Sequence, residues 1–556
     1  MCGSRNSAGI TFSRQERRSQ LFFLRLLCLL AAVLGGCAKR EPGFDGKPTT
    51  APQILRLSQR NEPGDLDSAT ATLPDEFAVL RAFSEGLLIP GANGHPQPGA
   101  ASRYDVSPDG LTYTFHLRAN GRWSDGQPVT ADEFVASWRR VLTPSTAAPK
   151  ANVFYPVKNA RAFVSGEITD FNAVGIRATG AHTITITLDR PNPRFPYYVA
   201  SGPWLPAPVR VIEKQGRLWT RPGNFVGNGP FALVEWRPDQ RIVAKRNPHW
   251  HGAASVQLAE IHFMRFDSGD SEERAFRTGQ IDATMSVPSS KIETYTHERA
   301  GELHRAPMIE TRYFSFNTQR HPLNDVRVRR ALSLALDRQA IVDKVLKGGQ
   351  APANRLIPPG LRDPAAATAS LELGSSEYRH DPTAARQLLA AAGINGKDFP
   401  RLEVTAWSPS QTPVLEAAQQ MWRQALGIET SLAIREARVH LSALAAGDYD
   451  IAFVTAIPDV ADATELMGDF VSKAPENYPR WSDARFDAAF VQAASEASAQ
   501  PQAVAVLAAE RLLLEAAPIA PVYFNTKIWL MSPRVKGWQE DGLWTRCYQQ
   551  IYLEDR

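Results

Sequence analysis

Few side chains in this sequence have the type and spacing that chemistry requires. His249-Trp250-His251 would place two imidazoles on one face of a strand, but two ligands do not make a metal site. The run 267–273 is rich in Asp and Glu, yet it lacks the alternating oxygen ligands of a calcium loop, so we predict a solvated acidic face. The chain contains no nucleophile elbow, zinc-protease helix or phosphate-binding glycine loop. The sequence therefore predicts no catalytic residues, no metal site and no cofactor, and it favours a binding protein over an enzyme.

The composition indicates a large folded protein with a neutral mature chain. The 556 residues are 43% hydrophobic and 22% charged, which is ordinary for a globular protein of roughly three to five domains. The formal net charge of +4 arises within residues 1–36, which contain five arginines and one glutamate. Because the remainder is neutral and has no concentrated basic patch, nucleic acid is not a predicted partner.

The N-terminal segment predicts export. Three arginines within 14–18 precede the apolar run 21–34, which is followed by small residues. The run is shorter than the roughly 20 apolar residues of a membrane-spanning helix, so a secretory signal is the better interpretation. We predict that residues 1–36 are a signal peptide.

The end of this signal predicts a lipid anchor. Leu34-Gly35-Gly36-Cys37 resembles the bacterial lipobox, in which Cys37 would be lipidated and become the mature N-terminus. A chance cysteine after an ordinary export signal is the alternative. The polar residues 37–52 would form a tether, and the protein would be a membrane-anchored lipoprotein in the periplasm or at the cell surface. Only Cys547 would then remain unmodified, so no intramolecular disulfide is expected.

Strand and helix signals alternate through the rest of the chain. Polar and apolar residues alternate over 111–117 and 182–188, which predicts half-buried strands. Thr130 begins a capping box ahead of an amphipathic helix. Further helices are predicted as a long one capped by Asn324 and ending before Gly348, one from Asp381-Pro382 to Gly393, and one over 413–426 closed by Gly427. This alternation predicts mixed α/β domains.

Three blocks of sequence resemble the oligopeptide-binding proteins of bacterial ABC importers, the extracellular solute-binding family 5. The first block is 111–118 (LTYTFHLR) followed by 122–130 (RWSDGQPVT). The second is 227–231 (GNGPF) followed by 241–248 (RIVAKRNP) and Trp250. The third is 313–317 (YFSFN) running into 324–338 (NDVRVRRALSLALDR). The resemblance keeps the same order and spacing from about Leu55 to near the C-terminus.

The resemblance implies an α/β fold of two lobes, the class II periplasmic-binding-protein-like clamp, with three discontinuous domains and a ligand cleft between the lobes. Lobe 1 would comprise a core domain (53–96, 223–310 and 528–556) and an extra domain (97–222), and lobe 2 would comprise 311–527. Ligand would stabilise the closed form, because only that form contacts it from both sides. The implied partners are a peptide ligand and the permease and ATPase subunits of an ABC importer, and we expect a monomer.

The same resemblance implies the ligand contacts. Asp459, which follows the segment 447–450 at the family's spacing, would bind the terminal amine, since a buried ammonium needs a carboxylate partner. A turn-capping aspartate is the alternative. Tyr523 and Asn525 match the segment that lines the cleft on its return, and Asn61 and Glu62 lie where the first strand enters it. Tyr523 is alternatively a half-buried strand aromatic, and Glu62 a solvated turn residue.

Small or apolar residues stand where the family places large rings and cations near the amine site. These positions are Ala437, Leu444, Phe453 and Ala456, and the cysteine pair of some members falls at Glu310 and Ile457. The departures leave open a modified peptide, a cell-wall fragment or haem as the ligand instead of ordinary peptides. A lipoprotein that senses its ligand through a receptor, and a hydrolase without a familiar motif, also stay open.

Overall fold

The computed structural model of the chain describes residues 52–91, 95–361, 379–395, 399–496, 499–540, 542–543 and 545–554. The predicted signal peptide, Cys37 and all but the last residue of the predicted tether therefore lie outside the described residues. Across the described ranges, no helix has both the length and the apolar character to cross a membrane.

The strands run through the whole described chain. In chain order they are β1 (Ile54–Gln59), β2 (Leu88–Pro90), β3 (Pro96–Pro98), β4 (Ala101–Val106), β5 (Thr112–Leu117), β6 (Ile176–Gly180), β7 (Thr183–Thr187), β8 (Phe231–Arg237), β9 (Arg241–Arg246), β10 (Glu260–Arg265), β11 (Leu303–Phe316), β12 (Ala351–Pro352), β13 (Leu402–Ala406), β14 (Thr430–Ile434), β15 (Ile451–Ala456), β16 (Ile519–Leu530), β17 (Val535–Lys536) and β18 (Tyr552–Leu553).

The α-helices lie between these strands. In chain order they are α1 (Pro74–Phe83), α2 (Ala131–Leu142), α3 (Ala160–Val164), α4 (Phe195–Val199), α5 (Val209–Gln215), α6 (Gly269–Arg277), α7 (Ser289–Glu298), α8 (Val326–Leu334), α9 (Arg338–Ala340), α10 (Pro382–Ala391), α11 (Thr412–Leu426), α12 (Ala437–Ala446), α13 (Ala463–Gly468), α14 (Ala484–Ser495) and α15 (Ala499–Ala516).

Two four-stranded sheets with separate cores occupy the first half of the chain. One has the order β1-β10-β9-β8, with β1 parallel to β10 and the other pairs antiparallel. The other has the order β4-β5-β7-β6 and is antiparallel throughout. The core of the first sheet includes Phe83 and Phe231, and the core of the second includes Trp138, Phe154 and Trp204, all of them fully buried.

A six-stranded sheet dominates the second half of the chain. Its order is β12-β16-β11-β15-β13-β14, with β13 parallel to both β14 and β15. Separate cores cover its two faces, one around Trp422 and the other around Tyr449. These layered sheets and helices confirm the predicted α/β fold class.

The long strands β11 and β16 connect the two halves. They pair antiparallel from Leu303–Leu530 to Ser315–Ile519, and their register is irregular between Pro307 and Thr311, close to the predicted crossing between lobes. Immediately after β16, Met531 bridges to Ala283, which also bridges to β1. The two strands therefore belong to the six-stranded sheet at one end and reach the first sheet at the other. The boundaries of the domains stay predictions.

Most of the predicted local elements are confirmed. The strands predicted over 111–117 and 182–188 form as β5 and β7. Thr130 caps α2 and shares a full capping box with Glu133. The Asp381 carboxylate accepts backbone N–H groups of the first turn of α10, and α11 ends at Gly427, whose φ of +70° is the left-handed conformation that glycine tolerates best.

The prediction of one long helix after Asn324 is wrong. Asp325, not Asn324, caps α8, and α8 ends at Leu334. The chain restarts at Asp337, whose carboxylate accepts the backbone N–H of Ala340 at 2.9 Å, and a π-helical segment then runs over Ile341–Leu346. The apolar spacing was continuous, but it did not reveal that a second capping residue divides the segment.

The prediction of a solvated acidic face over 267–273 is also wrong in part. Its last two carboxylates are buried on α6. Glu272 accepts the backbone N–H groups of Met285 and Ser286 at 3.1 and 3.0 Å, and Glu273 accepts the Tyr295 hydroxyl at 2.9 Å. These donors stand in for water, so the acidic residues hold the following loop and α7 against α6.

Candidate functional site

The candidate site begins at one edge of the six-stranded sheet. The carboxyl ends of the parallel strands β13, β14 and β15 meet at this edge, and in open α/β sheets ligands bind outside such ends. The loop after β15 carries Asp459 and leads into α13. Asp462 caps α13, because its carboxylate accepts the backbone N–H of Thr464 at 3.0 Å. This loop and α13 form the lobe 2 side of the site.

The facing side belongs to the segment that contains the antiparallel β4–β7 sheet. A cavity of about 870 Å³ lies between residues 148–198 of that segment and residues 462–502. Tyr155, Arg194 and Tyr198 line it from one side, and Glu465 and Asp469 line it from the other. A volume in the range of about 300–1,000 Å³ is typical of pockets for small ligands.

An ion pair between Lys150 and Asp459 joins the two sides. The Lys150 Nζ lies 2.9 Å from Asp459 Oδ2, next to the cavity that Pro149 and Ala151 line. The two side chains are 30% and 22% exposed. Burial alone would lower the pKa of the Lys150 ammonium, but Asp459 and nearby carboxylates raise it above its ordinary value. Lys150 is therefore a permanent cation at this position.

Two further polar contacts cross the same gap. The Arg194 guanidinium lies 3.6 Å from the Asp462 carboxylate, and it donates a hydrogen bond to the Ala461 carbonyl oxygen at 3.3 Å. The Tyr198 hydroxyl lies beside the Glu465 carboxyl group, and each raises or lowers the pKa of the other. We call these contacts, together with Lys150–Asp459, the interlobe contact.

Burial controls the protonation of two carboxyls beside the cavity. It raises the pKa of Glu465 to about 8, with a further increase from Asp459. Burial, with the nearby charge of Glu476, raises the pKa of Asp469 well above its ordinary value. Glu465 therefore holds a proton near neutral pH and acts as a neutral polar group.

The other predicted site residues already have hydrogen-bond or strand partners within the chain. The Asn61 amide donates to Asp75 Oδ2 at 2.7 Å, and Glu62 accepts from the indole N–H of Trp236. Tyr523 is buried on β16 and pairs with Arg312 and Pro352 of the neighbouring strands.

The structure brings Tyr523 close to one pair of charges that the sequence did not reveal. Glu310 is fully buried and forms an ion pair with Arg312 at 2.5 Å. Burial raises the pKa of Tyr523 to about 12, while the Arg312 charge works in the opposite direction. Asn525 lies two residues further along β16 and accepts the backbone N–H of Thr526. The ligand-binding roles of Asp459, Tyr523, Asn525, Asn61 and Glu62 stay predictions.

Sequence reasoning missed the partners of Asp459 and its loop in the interlobe contact, which are Lys150, Arg194, Tyr198 and Glu465. Lys150 shows why. It follows Pro149 in a stretch without helical or strand periodicity, and its partner lies 309 residues away along the chain. No local pattern signals such a pair. Within the described ranges, no three His, Cys, Asp or Glu side chains come together as a metal ion would require.

Comparisons with known proteins match almost the whole chain. The family described as bacterial extracellular solute-binding proteins, family 5 Middle, matches residues 95–478. The chain is 32% identical over 495 residues to the probable deoxycholate-binding periplasmic protein YgiS of Escherichia coli (strain K12), covering 88% of this chain and 91% of that protein. It is 31% identical over 535 residues to the periplasmic oligopeptide-binding protein OppA of the same strain, covering 94% and 97%.

Two solved structures of one protein match this chain to different degrees. The Escherichia coli murein tripeptide binding protein MppA matches with a TM-score of 0.84 at 29% identity, covering 91% of this chain and 99% of that one. The unliganded open form of MppA matches with a TM-score of only 0.69 at the same identity, covering 90% and 97%. Because the identity is the same, the lower score reflects the conformation, and the present lobes are not arranged as in that open form.

Proposed function

The chain belongs to family 5 of the bacterial extracellular solute-binding proteins, and from this premise we propose that it captures oligopeptides between its two lobes and delivers them to an ABC importer. The observation that carries the proposal is the cavity bordered by side chains from both sides of the interlobe contact. A ligand held there contacts both lobes only when they are closed, so binding favours closure. The closed form is then what the permease recognises, and the importer's ATPase subunits supply the energy.

The proposed ligand contacts follow the predicted set. Asp459 faces the amine end of the ligand, and Tyr523 and Asn525 lie along the strand that returns between the lobes. Asn61 and Glu62 stand at the end of β1, where their side chains already bond to Asp75 and Trp236. A ligand would therefore meet their backbone groups or replace these bonds.

The proposed location is the outer face of a membrane, with the chain held there through lipid on Cys37. Its relatives YgiS, MppA and OppA are named as periplasmic proteins, which supports export. Replacing Cys37 by Ala should release the protein into the soluble extracytoplasmic fraction. A variant that stays with the membrane would contradict the anchor but not the binding function.

Native mass spectrometry of residues 38–556, purified without refolding, tests the binding function. The expected result is a set of bound peptides of mixed sequence, released and identified after denaturation. A protein that carries a single non-peptide compound, or that stays empty when mixed with peptide pools, would contradict peptide capture.

A second candidate function is the binding of a modified peptide or a cell-wall fragment. The observation that favours it is the Lys150–Asp459 pair, since the carboxylate proposed for the amine already has a cation 2.9 Å away. MppA, a relative at 31% identity, is named as a murein peptide-binding protein. The same mass measurement separates the two candidates, because a murein peptide carries amino sugars or D-residues that an ordinary peptide lacks.

A further inference from the structure

We propose that Lys150 determines ligand specificity, by occupying at Asp459 the position that the terminal ammonium of an ordinary peptide would need. The accepted class would then be peptides or peptide-like compounds whose end near Asp459 is an uncharged amide, such as an N-acylated terminus. This inference rests on the proposed function, because it assumes that ligands bind between the lobes with one end at Asp459.

The position of Lys150 is fixed by its neighbours in the chain. It directly precedes a 3₁₀ turn, Ala151–Phe154, in which Ala151, Val153 and Phe154 are buried. The Phe154 ring stacks on Trp204 with the ring centres 4.0 Å apart, in the core beneath the β4–β7 sheet. The backbone at Lys150 is therefore anchored to a packed core, which places its side chain within reach of Asp459.

The charges around Asp459 disfavour a second ammonium. A ligand ammonium bound to the same carboxylate would lie within a few ångströms of the Lys150 Nζ, and two like charges at that distance repel strongly in a half-buried site. The neighbouring Glu465 carboxyl holds its proton near neutral pH, because burial raises its pKa to about 8. Asp462 already faces Arg194. Asp469 and Glu476 also lie near the pair, and both already act on the Lys150 ammonium.

An uncharged amide fits the same pair without this repulsion. The Lys150 ammonium has three donors, and its hydrogen bond to Asp459 uses one of them. An acyl carbonyl oxygen accepts from a second donor, and the amide N–H donates to the carboxylate. Both charged groups then gain a hydrogen bond while the net charge of the site is unchanged.

Paired peptides test the inference directly. The probes are two synthetic libraries of tri- to pentapeptides built from Gly, Ala, Val and Leu, identical except that one is N-acetylated. In competition, read by native mass spectrometry and then by calorimetry on the best sequence, wild-type protein should bind the acetylated form about tenfold or more tightly than the free form. Lys150→Met should reverse this preference, because it frees the Asp459 carboxylate for the ligand ammonium.

Two matched variants separate charge from shape. Lys150→Arg keeps a cation beside Asp459 and should keep the preference for acetylated peptides. Lys158→Met removes an exposed lysine from the same segment and should leave the preference of the wild-type protein unchanged.

The outcomes distinguish failure of peptide capture from failure of the role assigned to Lys150. If neither library binds wild-type protein or any variant, peptide capture itself is wrong. If wild-type protein binds free peptides as tightly as acetylated ones, or more tightly, the role of Lys150 is overturned while peptide capture stands. The role of Lys150 is also overturned, with peptide capture intact, if free and acetylated peptides both bind and Lys150→Met leaves the ratio of their affinities unchanged. The comparison of acetylated with free peptides on wild-type protein tests the role of Lys150 even if Lys150→Met does not fold.

Discussion

The segment that contains the β4–β7 sheet faces the first part of the chain on one side and lobe 2 on another, and the contacts on these two sides are built differently. Towards the first part of the chain, Arg140 pairs with Asp67 through both carboxylate oxygens, one at 2.9 Å, and the Asp67 side chain is only 3% exposed. Ser68 donates to the Leu205 carbonyl oxygen at 2.8 Å in the same region. Towards lobe 2, the interlobe contact surrounds a cavity, and its ion pairs are more open to water: both side chains of Lys150–Asp459 are partly exposed, and so is Arg194 of the pair with Asp462.

The difference indicates which contact is permanent and which is reversible. Separating the first would break an ion pair held through two hydrogen bonds and would expose the apolar surfaces beside it to water, which costs free energy. Separating the second exposes charged groups that water solvates well, so little free energy is lost when the lobes part. A binding protein needs this combination, because the site must open while each lobe stays intact.

The largest expected effect tests the permanent side of this comparison. Trp204 is fully buried, stacked on Phe154 and edge-on to Trp138 at 5.0 Å. Trp204→Ala should lower the free energy of unfolding by about 3–5 kcal/mol, through lost burial and the cavity left behind. The measurement is urea denaturation followed by far-UV circular dichroism. Leu218→Ala is the control, since Leu218 is 61% exposed and its loss should change stability by less than about 0.5 kcal/mol. Equal effects of the two changes would contradict the rigid core.

The second prediction compares the two ion pairs themselves. Arg140→Met leaves the Asp67 carboxylate buried without its cation and should cost about 3 kcal/mol of unfolding free energy. Lys150→Met removes a half-buried partner at the interlobe contact and should cost less than about 1 kcal/mol. Adding Asp67→Asn to Arg140→Met should recover part of the loss, because the buried charge is gone. If Arg140→Met and Lys150→Met lower the free energy of unfolding by the same amount, the distinction between the two contacts is wrong.

The features that sequence reasoning predicted correctly are those fixed by neighbouring residues. The Thr130 cap, the Asp381 cap and the left-handed Gly427 all depend on contacts within one turn of helix. Such constraints leave a recognisable residue type at a fixed position.

The features that it missed depend on residues far apart in the chain. The resemblance pointed to Asp459, but nothing near Lys150 indicated that it would reach that carboxylate across the lobes. Glu272 looked solvated because its donors, the backbone N–H groups of Met285 and Ser286, carry no sequence signature. The partners of these charged groups are distant in sequence and come together only in the folded chain, so local periodicity cannot predict them.

The third prediction uses pH to loosen only the reversible contact. Glu465 has a pKa of about 8 in the closed arrangement, against an ordinary value of 4.5 once opening exposes it to water. Between these values the closed form holds a proton that the open form has lost, so closure weakens as pH rises from about 5 to 8. The titratable groups that act on Glu465 are Tyr198, Asp459, Asp462 and Lys150, and Asp469 interacts with it as well.

Small-angle scattering of ligand-free protein across this range should show a radius of gyration that rises with pH. Glu465→Gln should reduce the dependence to the part that Asp469 contributes, because the amide does not titrate while the pKa of Asp469 is also raised by burial. Glu429→Gln, at an exposed ion pair outside the interlobe contact, should leave the dependence as in the wild type. A radius that falls as pH rises would contradict the assigned direction.

The smallest expected effect concerns Arg194, whose guanidinium lies 3.6 Å from Asp462 and is partly exposed. Arg194→Gln should change peptide affinity by less than about threefold, since such pairs contribute little and a glutamine can still donate to the Ala461 carbonyl oxygen. Calorimetry with the peptide that binds wild-type protein best is the measurement. Asp462→Ala is the contrasting variant, because it also removes the cap of α13 and should cost about 1 kcal/mol of stability. If Arg194→Gln instead weakened binding more than tenfold, the interlobe contact would depend on Arg194 as much as on Lys150, and the specificity assigned to Lys150 would have to be shared between the two cations.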